Sequence, residues 1–88
     1  MSRQRPLEKI IVSEYVTVGE LVRLTGVRYS TLKYYTEEGM LPFEQAEENL
    51  TRRYRREETV RRLEEIKRLK SLGMSVPEIK EKLIDEKK

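Results

Sequence analysis

Cysteine, histidine and tryptophan are all missing from the 88 residues, and there are only three prolines and four glycines. Without cysteine no disulfide frame can form. Without cysteine or histidine a structural zinc site and a histidine-based catalyst are excluded as well. The glycines are too few for a phosphate-cradling loop. Long apolar runs are also lacking, and none approaches the roughly 18 residues of a membrane span. The basic opening MSRQRPLEKIIV offers only Ile10 to Val12 as an apolar stretch, too short for a signal peptide. The expectation is a cytoplasmic module with one small core that folds by packing alone, with no enzymatic activity, no cofactor, no metal and no membrane contact.

What is abundant is charge, at 40% of residues against 36% hydrophobic, for a net of +3. Its distribution is uneven. Residues 36–48 carry five Glu and no Lys or Arg, whereas residues 51–70 carry nine Lys or Arg against four Glu. Part of that second run reads as a solvated helix laced with i,i+4 ion pairs, namely Glu57/Arg61, Glu58/Arg62 and Glu64/Arg68. Arg52, Arg53, Arg55 and Arg56 around Tyr54 have no intervening acid, and such a cluster suits a polyanion.

The chain shows no repeat and no linker. Residues 1–14 read as an N-terminal arm, partly disordered, in which Leu7, Ile10 and Ile11 permit a short helix or an extended apolar segment. Residues 15–88 read as the folded domain. Thr17-Val18-Gly19-Glu20 is a capping box, and the turns after it place Val18, Leu21 and Val22 on one face until Gly26 supplies a left-handed stop. A second helix runs from about Tyr29 to Glu38, with Leu32 and Tyr35 inward. The connection Thr25-Gly26-Val27-Arg28 is short enough to force a steep crossing, which makes a helix-turn-helix. Pro42 sends the chain out extended, and residues 43–56 read as a β-hairpin turning near Glu47-Glu48-Asn49. A third helix from about Glu57 to Leu72 carries Val60, Leu63, Ile66, Leu69 and Leu72 at a spacing of three. Such a row drifts by about 60° each step, so the helix needs cover on more than one side. Ser75-Val76-Pro77-Glu78 is a second capping box, and the helix it opens shows Val76, Ile79, Leu83 and Ile84.

From Tyr15 to Leu83 the sequence resembles the winged-helix DNA-binding domain of the MerR (mercury-resistance regulator) family. The resemblance rests on YVTVGELVRLTGV for the first helix of the motif and TLKYYTEEGML for the recognition helix and its exit. ENLTRRY stands at the wing, and LKSLGMSVPEIKEKL at the paired closing helices. It implies a mainly α winged helix-turn-helix with a small β-hairpin wing and two closing helices. The sequence departs from the family pattern where a Ser or Asp cap and a Pro usually precede the recognition helix, since Arg28 and Tyr29 stand there. Ser30 replaces a common DNA-touching Arg, and the wing reads Leu50-Thr51-Arg52-Arg53-Tyr54 rather than Gly-Tyr-Arg-Arg-Tyr. The family's long dimerisation helix and effector domain have no counterpart, so inducer sensing is not carried over.

The resemblance implies double-stranded DNA as partner, with the recognition helix in the major groove and the wing on the flanking backbone or minor groove. Arg28, Tyr29, Ser30, Thr31 and Lys33 then face DNA, Lys33 reaching guanine or a phosphate. Of Tyr34 and Tyr35, one hydroxyl meets a phosphate and the other ring is largely core, Tyr35 by periodicity. Thr17 and its helix start would offer amides to a phosphate. Arg52 and Arg53 belong to the wing, and Tyr54 either clamps a phosphate with them or packs beneath. The implied function is a sequence-specific transcriptional regulator, nucleoid-associated. It would assemble with itself as a dimer or head-to-tail on DNA, with RNA polymerase a further candidate partner. Alternatives are an architectural or excisionase-like protein of a mobile element, a winged-helix protein-interaction module, and the DNA-binding part of a longer regulator.

Overall fold

The computed structural model describes residues 5–45, 47 and 51–86. Five helices and two short strands follow in the order α1 (Leu7–Ile10), β1 (Tyr15–Val16), α2 (Val18–Thr25), α3 (Tyr29–Glu37), β2 (Tyr54–Arg55), α4 (Arg56–Ser71) and α5 (Val76–Glu86). This is the expected mainly helical winged helix-turn-helix, and local chemistry sets both ends of α2 and the start of α5. Thr17 Oγ1 accepts from the Glu20 amide and the Glu20 carboxylate accepts from the Thr17 amide, so the capping box that opens α2 is complete. Gly26 closes α2 at φ 74°, a left-handed conformation in which an added Cβ would meet nothing within 4 Å. The demand there is therefore conformational rather than steric. The Ser75–Glu78 pair repeats the capping box ahead of α5.

The core gathers Ile10, Val16, Leu21, Leu32, Tyr35, Met40, Leu41, Tyr54, Leu63, Ile66, Leu69, Ile79 and Leu83. Every element therefore sends at least one side chain inward. On α4 the row of five apolar residues splits as its drift requires: Leu63, Ile66 and Leu69 are buried, Val60 is half-buried and Leu72 is 67% exposed. Lys80 of α5 reaches Glu38 at the end of α3, at 3.3 Å, and so ties the closing helix to the helix-turn-helix.

Residues 5–14 form a docked segment, and α1 is the short helix that Leu7, Ile10 and Ile11 permit. Ile10 is fully buried, and Arg5 makes a two-pronged ion pair with Glu20 (2.6 and 2.8 Å) while also donating to Ser13 Oγ and the Tyr15 carbonyl. Arg23 in turn donates to the Arg5 carbonyl. The part of the arm at residues 1–4 lies outside the described residues. One expectation changes, that of the wing. Glu44 and Arg53 exchange both backbone hydrogen bonds (2.7 and 2.8 Å), as paired hairpin strands do. The next residues, β2, leave that partner and pair antiparallel with β1, Tyr15 opposite Arg55 and Val16 opposite Tyr54. The wing thus rests on the segment that precedes α2. Of its expected tip, Glu48 and Asn49 lie outside the described residues.

Candidate nucleic-acid interface

The solvent face of α3 follows from its period. At about 100° per residue, Tyr29, Lys33, Glu37, Ser30 and Tyr34 share one arc, and all five are exposed, Tyr29 at 56% and Tyr34 at 46%. Leu32, Tyr35 and Thr36 fill the opposite arc and are buried. Thr31 is half-buried on the flank, and Arg28, just before the helix, is exposed. The start of α3 has no side-chain cap: Arg28 is extended (φ −62°, ψ 144°) and offers no acceptor. The first amides of the helix therefore point outward without the side-chain partner that such donors usually find.

The base of the wing is bonded to the inner side of this helix. The Tyr54 ring is 2% exposed, 6.1 Å from the Phe43 ring, and its hydroxyl lies 2.9 Å from Thr36 Oγ1. Thr36 spends its only proton on the Leu32 carbonyl (2.8 Å), so Tyr54 is the donor in this pair. A buried chain of two hydrogen bonds thus runs from β2 through Thr36 into the backbone of α3. Above it, Arg52 lies with its guanidinium 4.8 Å from the Phe43 ring centroid, a cation–π stack that orients the side chain. Arg53 is exposed, its backbone fixed by the bridge to Glu44.

The residues singled out from sequence divide accordingly. Tyr29, Ser30, Lys33 and Tyr34 are exposed on α3 and Arg28 just before it, while on the wing Arg53 is exposed and Arg52 half-buried. Tyr35 and Tyr54 do not join them. Both are core residues, Tyr54 because the wing strand packs it between Phe43 and α3, so neither ring belongs to the exposed arc of α3. Thr17 is largely committed, since its amide goes to Glu20 and its oxygen accepts from the Glu20 amide, leaving only the hydroxyl proton. Arg56 is also structural: its Nε donates to the Ser13 carbonyl at 2.7 Å and its amide to the Glu14 carbonyl. The expected i,i+4 pairs of α4 do not form at Glu57/Arg61 or Glu58/Arg62 within 4.0 Å. Arg68 instead bonds Glu65, three residues back, at 2.6 Å.

Three participants escaped the sequence reading. Phe43 is the platform beneath Arg52. Thr36 is the acceptor for Tyr54, and its position four residues after Leu32 already placed it on the inner arc. Arg5 lies fifteen residues from Glu20, and no local pattern announces that pair. The Glu20 carboxyl is held below the usual carboxylate range, first by the Arg5 hydrogen bond and, against partial burial, by the Thr17 amide.

Comparison with known proteins places this geometry. The pattern of the MerR HTH family of regulatory proteins matches residues 16–85. A curated relative, the HTH-type transcriptional activator SoxR homolog of Chromobacterium violaceum, is 37% identical over 70 residues, covering 80% of this chain and 46% of that protein. The chain thus spans about half the length of the relative it matches. No solved structure gives a significant match.

Proposed function

Because the chain belongs to the MerR HTH family of regulatory proteins, we propose that it binds double-stranded DNA sequence-specifically and regulates transcription in the cytoplasm, and is not an enzyme. In this reading α3 enters the major groove. Lys33 and Ser30 meet base edges, while Tyr29, Tyr34, Thr31 and Arg28 meet edges or the adjoining phosphates. Arg52 and Arg53 of the wing neutralise phosphates of the flanking backbone or minor groove.

The observation that carries the proposal is the buried Tyr54–Thr36 hydrogen bond. It fixes the basic wing to the inner side of the helix whose outer arc is exposed. Base-reading and phosphate-holding groups are then held in one frame, as register on a duplex requires. A single module buries only about 600–1,000 Å² on DNA. Useful affinity therefore calls for more than one copy, as a dimer on an inverted repeat or as head-to-tail neighbours on direct repeats. RNA polymerase is a further candidate partner.

The test is selection of bound fragments from a sheared genomic library by the purified chain at near-physiological salt. An enriched motif supports the proposal, and the symmetry of its repeats identifies the assembly. Salt-sensitive recovery without a motif would replace it with architectural DNA binding, and no recovery at all with a protein-interaction role. On an enriched site, Arg52→Ala should weaken binding to all sequences alike and flatten the salt slope by about one unit.

A further inference from the structure

On the side of α3 away from Lys33 lies an apolar groove of about 510 Å³ between the helix-turn-helix and α4. Leu24, Val27 and Tyr35 form one wall, and Val60, Leu63 and Ile66 form the other. This is the second side of α4 that its three-residue apolar spacing left needing cover. Val60 and Val27 are only half-buried here, so the groove is an incompletely covered face of the core. Glu64, Lys67 and Lys70 stand exposed on its rim. Neither lysine has a carboxylate within 4.0 Å among the described residues. Along α4 the groove runs from Val60 to Lys70, about 15 Å at 1.5 Å per residue. That is close to three turns of a helix laid alongside.

We propose that this groove docks an acidic amphipathic helix of a partner protein. Its shape and charge carry the argument. An open groove lined by the apolar Leu24, Val27, Val60, Leu63 and Ile66 fits a helix with apolar anchors at i, i+4 and i+7. Two unpaired lysines one turn apart on the rim, against a single Glu64, favour carboxylates on that helix. Tyr35 in the wall sits two residues, about 200°, around α3 from Lys33, so the occupied groove faces away from the exposed arc. The partner and a duplex can therefore be held together, a consequence that rests on the DNA-binding reading, whereas the docking itself does not.

The experiment uses the full chain and a fluorescein-labelled, stapled 14-residue peptide with leucines at i, i+4 and i+7 flanked by glutamates. A second peptide carries lysines in place of the glutamates. Anisotropy titrations should show binding of the acidic probe, with amide shifts in an NMR spectrum at Val27, Val60 and Leu63. The exposed double variant K67E/K70E should weaken that binding about tenfold and reverse the preference between the two probes. Repeating the titration on the chain already held in a protein–DNA complex, seen as a band of reduced mobility, should leave the probe's affinity unchanged. Absence of that complex would count against the DNA-binding reading alone and leave the docking untouched. Affinity weaker than about 1 mM, equal affinity for both probes, or shifts mapping elsewhere would overturn the proposal. So would groove signals already perturbed in a self-associated chain, which would assign the groove to a second copy.

Discussion

At the start of α2, Thr17, Glu20 and Arg5 form a closed set of hydrogen bonds, whereas at the start of α3 no side chain caps the helix. The first is an anchor: it satisfies the helix amides internally and fastens the N-terminal segment to the domain. The second is held from its flank instead, by Tyr54 reaching Thr36 on the buried arc, so its opening turn stays available to an outside acceptor. Two helices of one motif thus divide their duties, and the division is written in how each is secured rather than in helix-forming tendency.

The largest break in this contrast comes from removing what holds α3. Tyr54→Ala takes away a buried aromatic and should cost about 3–5 kcal/mol in urea unfolding. Tyr54→Phe removes only the hydroxyl and leaves Thr36 its bond to Leu32, so it should cost about 1 kcal/mol. Equal losses for both would mean that the ring's packing contributes little and the hydrogen bond nearly everything.

The DNA-facing arc gives the next effect. Lys33→Ala should narrow the gap between preferred and scrambled sites by about 1–3 kcal/mol, read from competition titrations, because a base contact carries discrimination. A uniform loss on every sequence would instead make Lys33 a phosphate contact.

Breaking the closed end should cost less. Glu20→Ala removes one side of the capping box and the acceptor for Arg5, about 1 kcal/mol by the usual worth of a helix cap. Acid provides an independent reading of the same residue. The Glu20 carboxyl is lowered chiefly by Arg5, so the unfolded chain binds its proton first on acidification. The stability Glu20 contributes is therefore complete above the ordinary carboxylate range and disappears as pH falls through the lowered value. Glu65 beside Arg68 and Glu78 beside Ser75 are lowered in the same direction and remain in the variant. Glu20→Gln should thus flatten the rise of Tm with pH between about pH 3 and pH 5 without abolishing it. An unchanged slope would mean that neither Arg5 nor the Thr17 amide holds the carboxylate in solution.

The contrast also explains what could be read without coordinates. Both capping boxes, the left-handed Gly26 and the inward pair Leu32 and Tyr35 were legible, because each depends on residues within a turn or two of one another. Arg5–Glu20, Tyr54–Thr36 and the pairing of β2 with β1 were not, since their partners are separated by 15, 18 and about 40 positions. Tyr54 shows the consequence most plainly. Placed among arginines, it looked equally suited to clamp a phosphate or to pack, and only the strand that turns it toward Thr36 decides for packing. The candidate surface of α3 was legible from its period, but the Phe43 platform that orients Arg52 was not.

The smallest effect is the sharpest test of the open end. Arg28→Asp places a side-chain acceptor at the uncapped position, where the extended backbone already suits an N-cap residue. Its carboxylate can accept from the amide of Ser30 or Thr31 and also complements the helix dipole. The helix should become more stable by about 0.5–1 kcal/mol, seen as a higher Tm, while affinity for every DNA sequence falls. Arg28→Asn caps the same amides without adding negative charge, and so separates the two causes. If Asn stabilises the fold and weakens DNA binding more than Arg28→Ala does, the free amides themselves contribute to binding. If Asn and Ala weaken it equally, only the guanidinium mattered. If both variants leave DNA affinity unchanged, the start of α3 does not face the duplex.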